Sequence, residues 1–394
     1  MEIKTHEMNQ EYNELMMRLA PIFANESGYT NAKKYVQGLL GPADRKNGWQ
    51  IAEQVGDATP YAMQQFIYRG RYSAEALRDE GRAYIVENIG NENGVLVLDE
   101  TGFLKKGDKS CGVNRQYTGT AGKIENCQIG VFLSYASEKG HCPIDRRLYI
   151  PENWIHDSKR LREAGVPEGV DFRTKPQLGL QMIKEATEAE VPYNWLTGDC
   201  VYGDNRVIRS WAERNRKSYV LCISRKEYID DGSRYCSVGE MLNNLPEEGW
   251  FEASCGVGTK DLRVYDWFMM ELPPPREEGY KRWLLVRRSK TDKNDLQAHI
   301  CFAPAETTTC ELIKVAGTRW TVEMCFKESK TIVGMDEYEV RSYDGWYKHI
   351  TFACIALALL TVLSSQSMDK KRFQDHDPQG LTLEEFKKGL VLLE

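Results

Sequence analysis

Two aspartates each follow an apolar run: Asp99 comes after Val95-Leu96-Val97-Leu98, and Asp199 after Trp195-Leu196-Thr197-Gly198. A carboxylate just past a buried strand leaves the sheet at its C-terminal edge, where open α/β sheets hold their ligands. Two carboxylates a few Å apart repel each other unless a cation sits between them. Mg²⁺ suits that place, because it takes hard oxygen ligands and keeps positions open for a phosphate. Singly, either aspartate reads as a turn former or helix N-cap. It is their pairing on strands expected to be neighbours that points to metal chemistry.

A third carboxylate comes from residues 318–334, TRWTVEMCFKESKTIVG, which read as a helix with Thr318 as N-cap and Gly334 as C-cap. At about 100° per residue from Arg319, Glu323 lies near 40° and Lys330 near 20°, while Val322, Phe326 and Val333 cluster near 300–340°. Glu323 is therefore expected at the rim of a buried stripe, flanked by Arg319 and Lys330. Glu328, near about 180°, is expected to face solvent. The plainer reading is an ion-pair face on a surface helix.

Basic residues gather after both aspartates. Residues 101–225 hold about 20 Lys+Arg against about 15 Asp+Glu in a chain that is acidic overall. Lys105, Lys106, Lys109, Arg115 and Lys123 follow Asp99; Arg206, Arg209, Arg214, Arg216 and Lys217 follow Asp199. Such runs are often solvated faces, but their position recommends them as phosphate contacts.

The elements that must position these groups follow from patterning. Residues 1–90 look helical, and 48–70 contain two short helices around a Gly56-Asp57 break, a helix-turn-helix reading open to DNA contact. Strands are expected at 95–100, 123–137, 145–151, 193–199 and 218–224, with helices around 173–190 and 204–216. Three meandering strands followed by right-handed βα crossovers make a mixed sheet with helices on both faces, the order of a ribonuclease-H-like core. Residues 226–312 read as a β-rich insertion. The expected division is 1–90, a helical DNA-binding region; 91–225, the first part of the core; 226–312, the insertion; 313–365, the last core helices; and 366–394, a charged tail.

Composition narrows the alternatives. The 394 residues are 41% hydrophobic and 28% charged, with 52 Lys+Arg against 58 Asp+Glu, which is ordinary for a globular protein and argues against a generally basic nucleic-acid coat. Eleven scattered cysteines without a CxxC pair read as reduced thiols. The apolar run at 350–363 is shorter than the roughly 20 residues a spanning helix needs, so no membrane role is expected. GTAGK at 119–123 lacks the remaining residues of a phosphate loop, and the dispersed histidines support no His-centred triad. Cys200, without a nearby His, is expected to be a small packing residue.

Arg319-x3-Glu323-x6-Lys330 resembles the R-x3-E-x6-K part of the signature of bacterial insertion-sequence DDE transposases. VLVLDETGF (95–103), RQYTGTAGKIENCQIGV (115–131) and WLTGDCVYGD (195–204) are similar to that family in the same order. The resemblance implies that Asp99, Asp199 and Glu323 form a metal-binding triad holding two Mg²⁺ ions, with Mn²⁺ as a substitute. It implies that Arg319 and Lys330 contact phosphate. The signature's tyrosine falls at Ala316, so its contact is absent or supplied elsewhere. The implied activity is cutting and joining of transposon ends, with DNA hairpins as one route. Trp250, Trp267 and Trp283 are then candidate shelves for a flipped base. The implied partners are double-stranded DNA (terminal inverted repeats and target) and a second copy of the chain when DNA is bound, in the bacterial cytoplasm at the nucleoid. Two rivals stay open: a transposase-derived DNA-binding protein that no longer cuts, and a nuclease of the same fold that cuts without joining.

Overall fold

The structure is a computed structural model describing residues 2–257 and 262–374, together with 383 and 387. Five helices open it: α1 (Glu2–Leu19), α2 (Glu26–Leu40), α3 (Gly48–Gln54), α4 (Tyr61–Arg69) and α5 (Ala74–Ile89). Strands β1 (Val95–Leu104), β2 (Asn114–Thr118), β3 (Lys123–Ser137) and β4 (Gly140–Tyr149) follow. Next come α6 (Glu152–Ile155), α7 (Ser158–Glu163), α8 (Lys175–Glu188), β5 (Trp195–Gly198), α9 (Cys200–Gly203), α10 (Arg206–Arg214) and β6 (Ser218–Ile223). A small hairpin of β7 (Tyr228–Asp230) and β8 (Tyr235–Ser237) leads through α11 (Val238–Asn243) to β9 (Phe251–Val257), β10 (Leu262–Leu272), β11 (Tyr280–Arg288) and β12 (Leu296–Pro304). α12 (Thr309–Thr318), α13 (Trp320–Thr331) and α14 (Tyr343–Gln374) follow.

These elements form two compact units. One comprises residues 91–99 and 175–323, the other residues 1–90, 100–174 and 324–394. Strand β1 passes from the first unit into the second.

In the first unit the start of β1 pairs in parallel with β5, and β5 with β6. Parallel neighbours need crossovers, which α8 and the α9–α10 pair supply. Both β5 and β6 are buried at every position, matching the continuous apolar runs of their sequences. α9 lies so close to β6 that a Cβ on Gly203 would stand 1.8 Å from the carbonyl oxygen of Cys222; only glycine permits that approach. The β-rich segment continues the same sheet. β12 runs antiparallel to β6, and β11, β10 and β9 follow in turn. α12 packs against β5, β6 and β9. This is a large mixed sheet flanked by helices, the ribonuclease-H-like class expected from the strand order.

The second unit is organised around α14, which packs against α1, α2, α4, α5 and β4. Its buried apolar face meets an aromatic cluster in which Phe352 lies 5.5 Å from Phe66 and 5.4 Å from Tyr35, ring to ring. Arg146 on β4 is 1% exposed, yet it is satisfied by Thr351, Glu75 and the carbonyl of Ala74. Residues 343–367 are apolar and long enough to cross a membrane, more than the run at 350–363 suggested, but they lie buried against these helices. The stretch to 374 extends α14; the rest of the expected tail, apart from 383 and 387, lies outside the described residues.

Candidate active site

Parallel pairing places the two aspartates side by side. The β1–β5 register runs from Val95↔Trp195 to Leu98↔Gly198, so Asp99 and Asp199 are the next residues along adjacent strands. Asp99 does not end its strand, since β1 continues to Leu104 after its ladder with β5 has stopped. Asp199 is the N-cap of α9, and its Oδ1 accepts a hydrogen bond from the Val201 N–H at 2.9 Å. The capping and metal-ligand readings thus coexist at one residue, because a carboxylate oxygen accepts more than one bond.

The third acid arrives on a helix that another helix precedes directly. Thr318 is not its N-cap. A separate helix, α12, opens at Thr308 with a capping box: Thr308 Oγ1 accepts from Glu311 N–H, and Glu311 Oε2 accepts from Thr308 N–H at 2.8 Å. The T-x-x-E signal stands in the sequence at 308–311, upstream of Thr318. Arg319 joins α12 to α13, and Glu323 lies in the first turn of α13. Gly334 does close this segment, at φ +64° with Met335 N–H bonded to the Ser329 carbonyl.

Arg319 lies between two of the acids. Its Nη1 stands 3.6 Å from Asp99 Oδ2, and its Nη2 3.0 Å from Glu323 Oε1. Burial pulls the guanidinium's pKa down, but Asp99, Glu323, the Cys222 sulfur and Asp199 together outweigh burial and leave it raised. The donor set, three carboxylates facing one cation, has the hard-oxygen chemistry that a divalent ion requires. The arrangement nevertheless remains open: among the described residues, no three His, Cys, Asp or Glu side chains stand close enough to hold a metal ion. The neighbouring thiols are quiet. Burial, with Asp199 and Asp204 adding to it, raises the pKa of Cys200, and burial pushes Cys222 up to about 12.

The helix phase was right about the stripe and wrong about one acid. Val322, Phe326 and Val333 are buried, as are Cys325 and Ser329. Glu328 is not turned to solvent: its side chain is 20% exposed and its Oε2 lies 2.9 Å from His141 Nε2, whereas that of Glu323 is 53% exposed. The buried face extends past Cys325, and a polar partner on β4 draws Glu328 in.

Lys330 lies in the unit built on α14, and its ammonium is fully engaged. Its Nζ donates to Thr101 Oγ1 at 2.8 Å, to the Gly102 carbonyl at 3.0 Å and to Thr120 Oγ1 at 3.0 Å. Three donors meet three acceptors. Thr101 and Thr120 did not stand out in the sequence, because a hydroxyl that receives a lysine carries no spacing pattern. In the same unit Lys105 packs over the Tyr338 ring at 3.5 Å, and burial lowers its pKa to about 8. Lys106, Lys109, Arg115 and Lys123 are exposed, Lys123 being 2.9 Å from Glu125. On α10 the exposed Arg206 contacts Glu227 at 3.2 Å. Arg209 is 7% exposed and bound to the same Glu227 at 2.5 Å, which makes it an interior ion pair rather than a surface phosphate contact.

Of the three tryptophans, Trp267 and Trp283 are core residues at 1% and 5% exposure. Trp250 is partly exposed and carries the Arg288 guanidinium over its ring at 3.9 Å.

Residues 18–228 match the family model described as DDE superfamily endonuclease, and that match spans both aspartates. The chain belongs to this family. It is also 23% identical over 314 residues to a protein of Microchaete diplosiphon named "Probable transposase for insertion sequence element IS701", covering 79% of this chain and 77% of that one. Asp99 lies in β1, Asp199 caps α9 just past β5, and Glu323 lies in the first turn of α13.

Proposed function

We propose that this DDE endonuclease is an insertion-sequence transposase that cuts and rejoins DNA, with Asp99, Asp199 and Glu323 as its metal-binding carboxylates. One observation carries the reading: Asp99 and Glu323, 224 residues apart, share the Arg319 guanidinium, and strand register sets Asp199 beside Asp99. The name of the M. diplosiphon relative supports it.

Two Mg²⁺ ions, with Mn²⁺ as substitute, would supply a lowered pKa for an attacking water or 3′-OH and charge stabilisation for the leaving 3′ oxygen. The chain's own groups do the rest. Arg319 presents a planar fork that suits a phosphodiester once it leaves the carboxylates. Lys106, Lys109, Arg115, Lys123 and Arg206 offer exposed charge to the DNA backbone, while Lys105 and Lys330 support the segments that carry it.

Residues 1–90 form the DNA-binding region. α3 and α4 pack together, with Ile51, Met63, Phe66 and Ile67 buried and Tyr61, Gln64, Tyr68 and Arg69 of α4 exposed. α4 contains no acidic residue, and glutamine amides match adenine edges in the major groove. Two copies on paired ends, in the cytoplasm at the nucleoid, complete the proposal, with hairpin ends as one processing route. The β-rich 226–312 is its insertion.

The deciding experiment incubates the full chain with DNA carrying candidate element ends and Mg²⁺ or Mn²⁺. Cleavage with joining supports a transposase. Cleavage without joining favours a nuclease, and binding alone favours a retired relative.

A further inference from the structure

The geometry points to Arg319 as an internal counter-ion that holds the acidic site open until DNA phosphate draws it away, so that metal and DNA bind cooperatively. The inference rests on the carboxylate assignment above and concerns the order in which that site assembles.

Arg319 carries two terminal nitrogens, and each faces a different acid: Nη1 faces Asp99, and Nη2 faces Glu323. The side chain is 24% exposed and Asp99 16%, so this contact is shielded from bulk water. A charge pair at such a place is worth far more than the same pair at a free surface. With the guanidinium between them, the acids do not close into a metal cage. A divalent ion and the guanidinium therefore compete for the same oxygens.

Arg319 cannot simply retreat without cost. An arginine left among buried groups with no anion bears the full penalty of an unpaired charge. A phosphodiester removes that penalty, because it offers two oxygens to the planar fork. DNA arrival would then free Asp99 and Glu323, and the freed acids would take metal more tightly. Linkage requires the reverse as well: metal raises DNA affinity by the same factor. Lys330 has no part in this exchange, since its three donors are held by Thr101, Gly102 and Thr120. Arg319 acts here as a positioning residue whose target is the acids.

The test is calorimetric titration of Mn²⁺ into the full chain without DNA, for the parent, Arg319→Gln and Arg319→Lys. Removing the guanidinium should tighten Mn²⁺ binding about tenfold, with Arg319→Lys in between, because a point charge cannot fork to both acids. Adding duplex DNA should tighten Mn²⁺ binding to the parent and leave Arg319→Gln unchanged. A variant that merely misfolds would bind more weakly, so tightening cannot come from damage. Equal or weaker Mn²⁺ binding by both variants overturns the inference. Asp99→Asn and Glu323→Gln, made in the Arg319→Gln background, separate the two layers. If they keep full affinity, the carboxylate assignment is wrong. If they lose it while Arg319→Gln fails to tighten, only the counter-ion role falls.

Discussion

At the scale of single residues, the two cations of the R-x3-E-x6-K pattern have different environments, and the difference sets their expected phenotypes. Arg319 faces the acids proposed to hold metal; Lys330 faces hydroxyls and a carbonyl. Lys330→Met removes the donor shared by Thr101 Oγ1, the Gly102 carbonyl and Thr120 Oγ1, leaving that carbonyl the Thr120 hydroxyl, and should cost about 1–3 kcal/mol, read as a lower urea midpoint. Asp99→Asn, Asp199→Asn and Glu323→Gln should each cut DNA cleavage by on the order of 10³ while DNA is still bound, since each removes a carboxylate proposed to hold metal. Band-shift and cleavage assays on the same preparations check this, and a variant that still cuts leaves the triad. Glu328→Gln should cleave normally but weaken the His141 contact. Spacing arithmetic located Arg319 and Glu323, because i and i+4 meet on any helix. It misplaced Glu328, because the width of a buried face depends on what packs there, and His141 sits 187 residues away in sequence.

Elements were legible where one force dominates. The fully buried strands β5 and β6 and the apolar centres of β11 and β12 stand out by hydrophobicity alone, and β3 falls at the expected 123–137. Short elements whose existence depends on tertiary support, such as β2, α6, α7 and α11, gave no signal of comparable strength. α12 went unread although its capping box is explicit, and its cap is testable. Thr308→Ala should lower stability by about 1 kcal/mol in thermal or urea unfolding without touching Mn²⁺ affinity. α4 offers a second test. Gln64→Ala and Tyr68→Ala change exposed side chains of α4, so each should weaken end binding several-fold and leave the melting temperature within a degree or two. Equal affinity for all sequences, before and after substitution, would remove α4 from base reading.

For the molecule as a whole, acid and salt probe different parts. His349 is buried between the Tyr35 hydroxyl and the Gly334 carbonyl, and burial holds its pKa down to about 4; burial takes His299 to about 3. Both lie below the usual value of about 6.5, so the unfolded chain takes up protons first as pH falls. Stability should therefore be full above about pH 6.5 and decline toward pH 4 and 3, and His349→Gln should flatten part of that decline in urea midpoints at pH 7 and 5. DNA binding should weaken steeply with salt, because phosphate contacts release counter-ions. α14 bears on biogenesis. The helices that surround it precede it in the chain and wait for their partner until every strand of the sheet has been made. A message broken or stopped before residue 343 therefore yields a chain with its opening helices unsupported, fit for proteolysis rather than for competing with the full-length product at DNA.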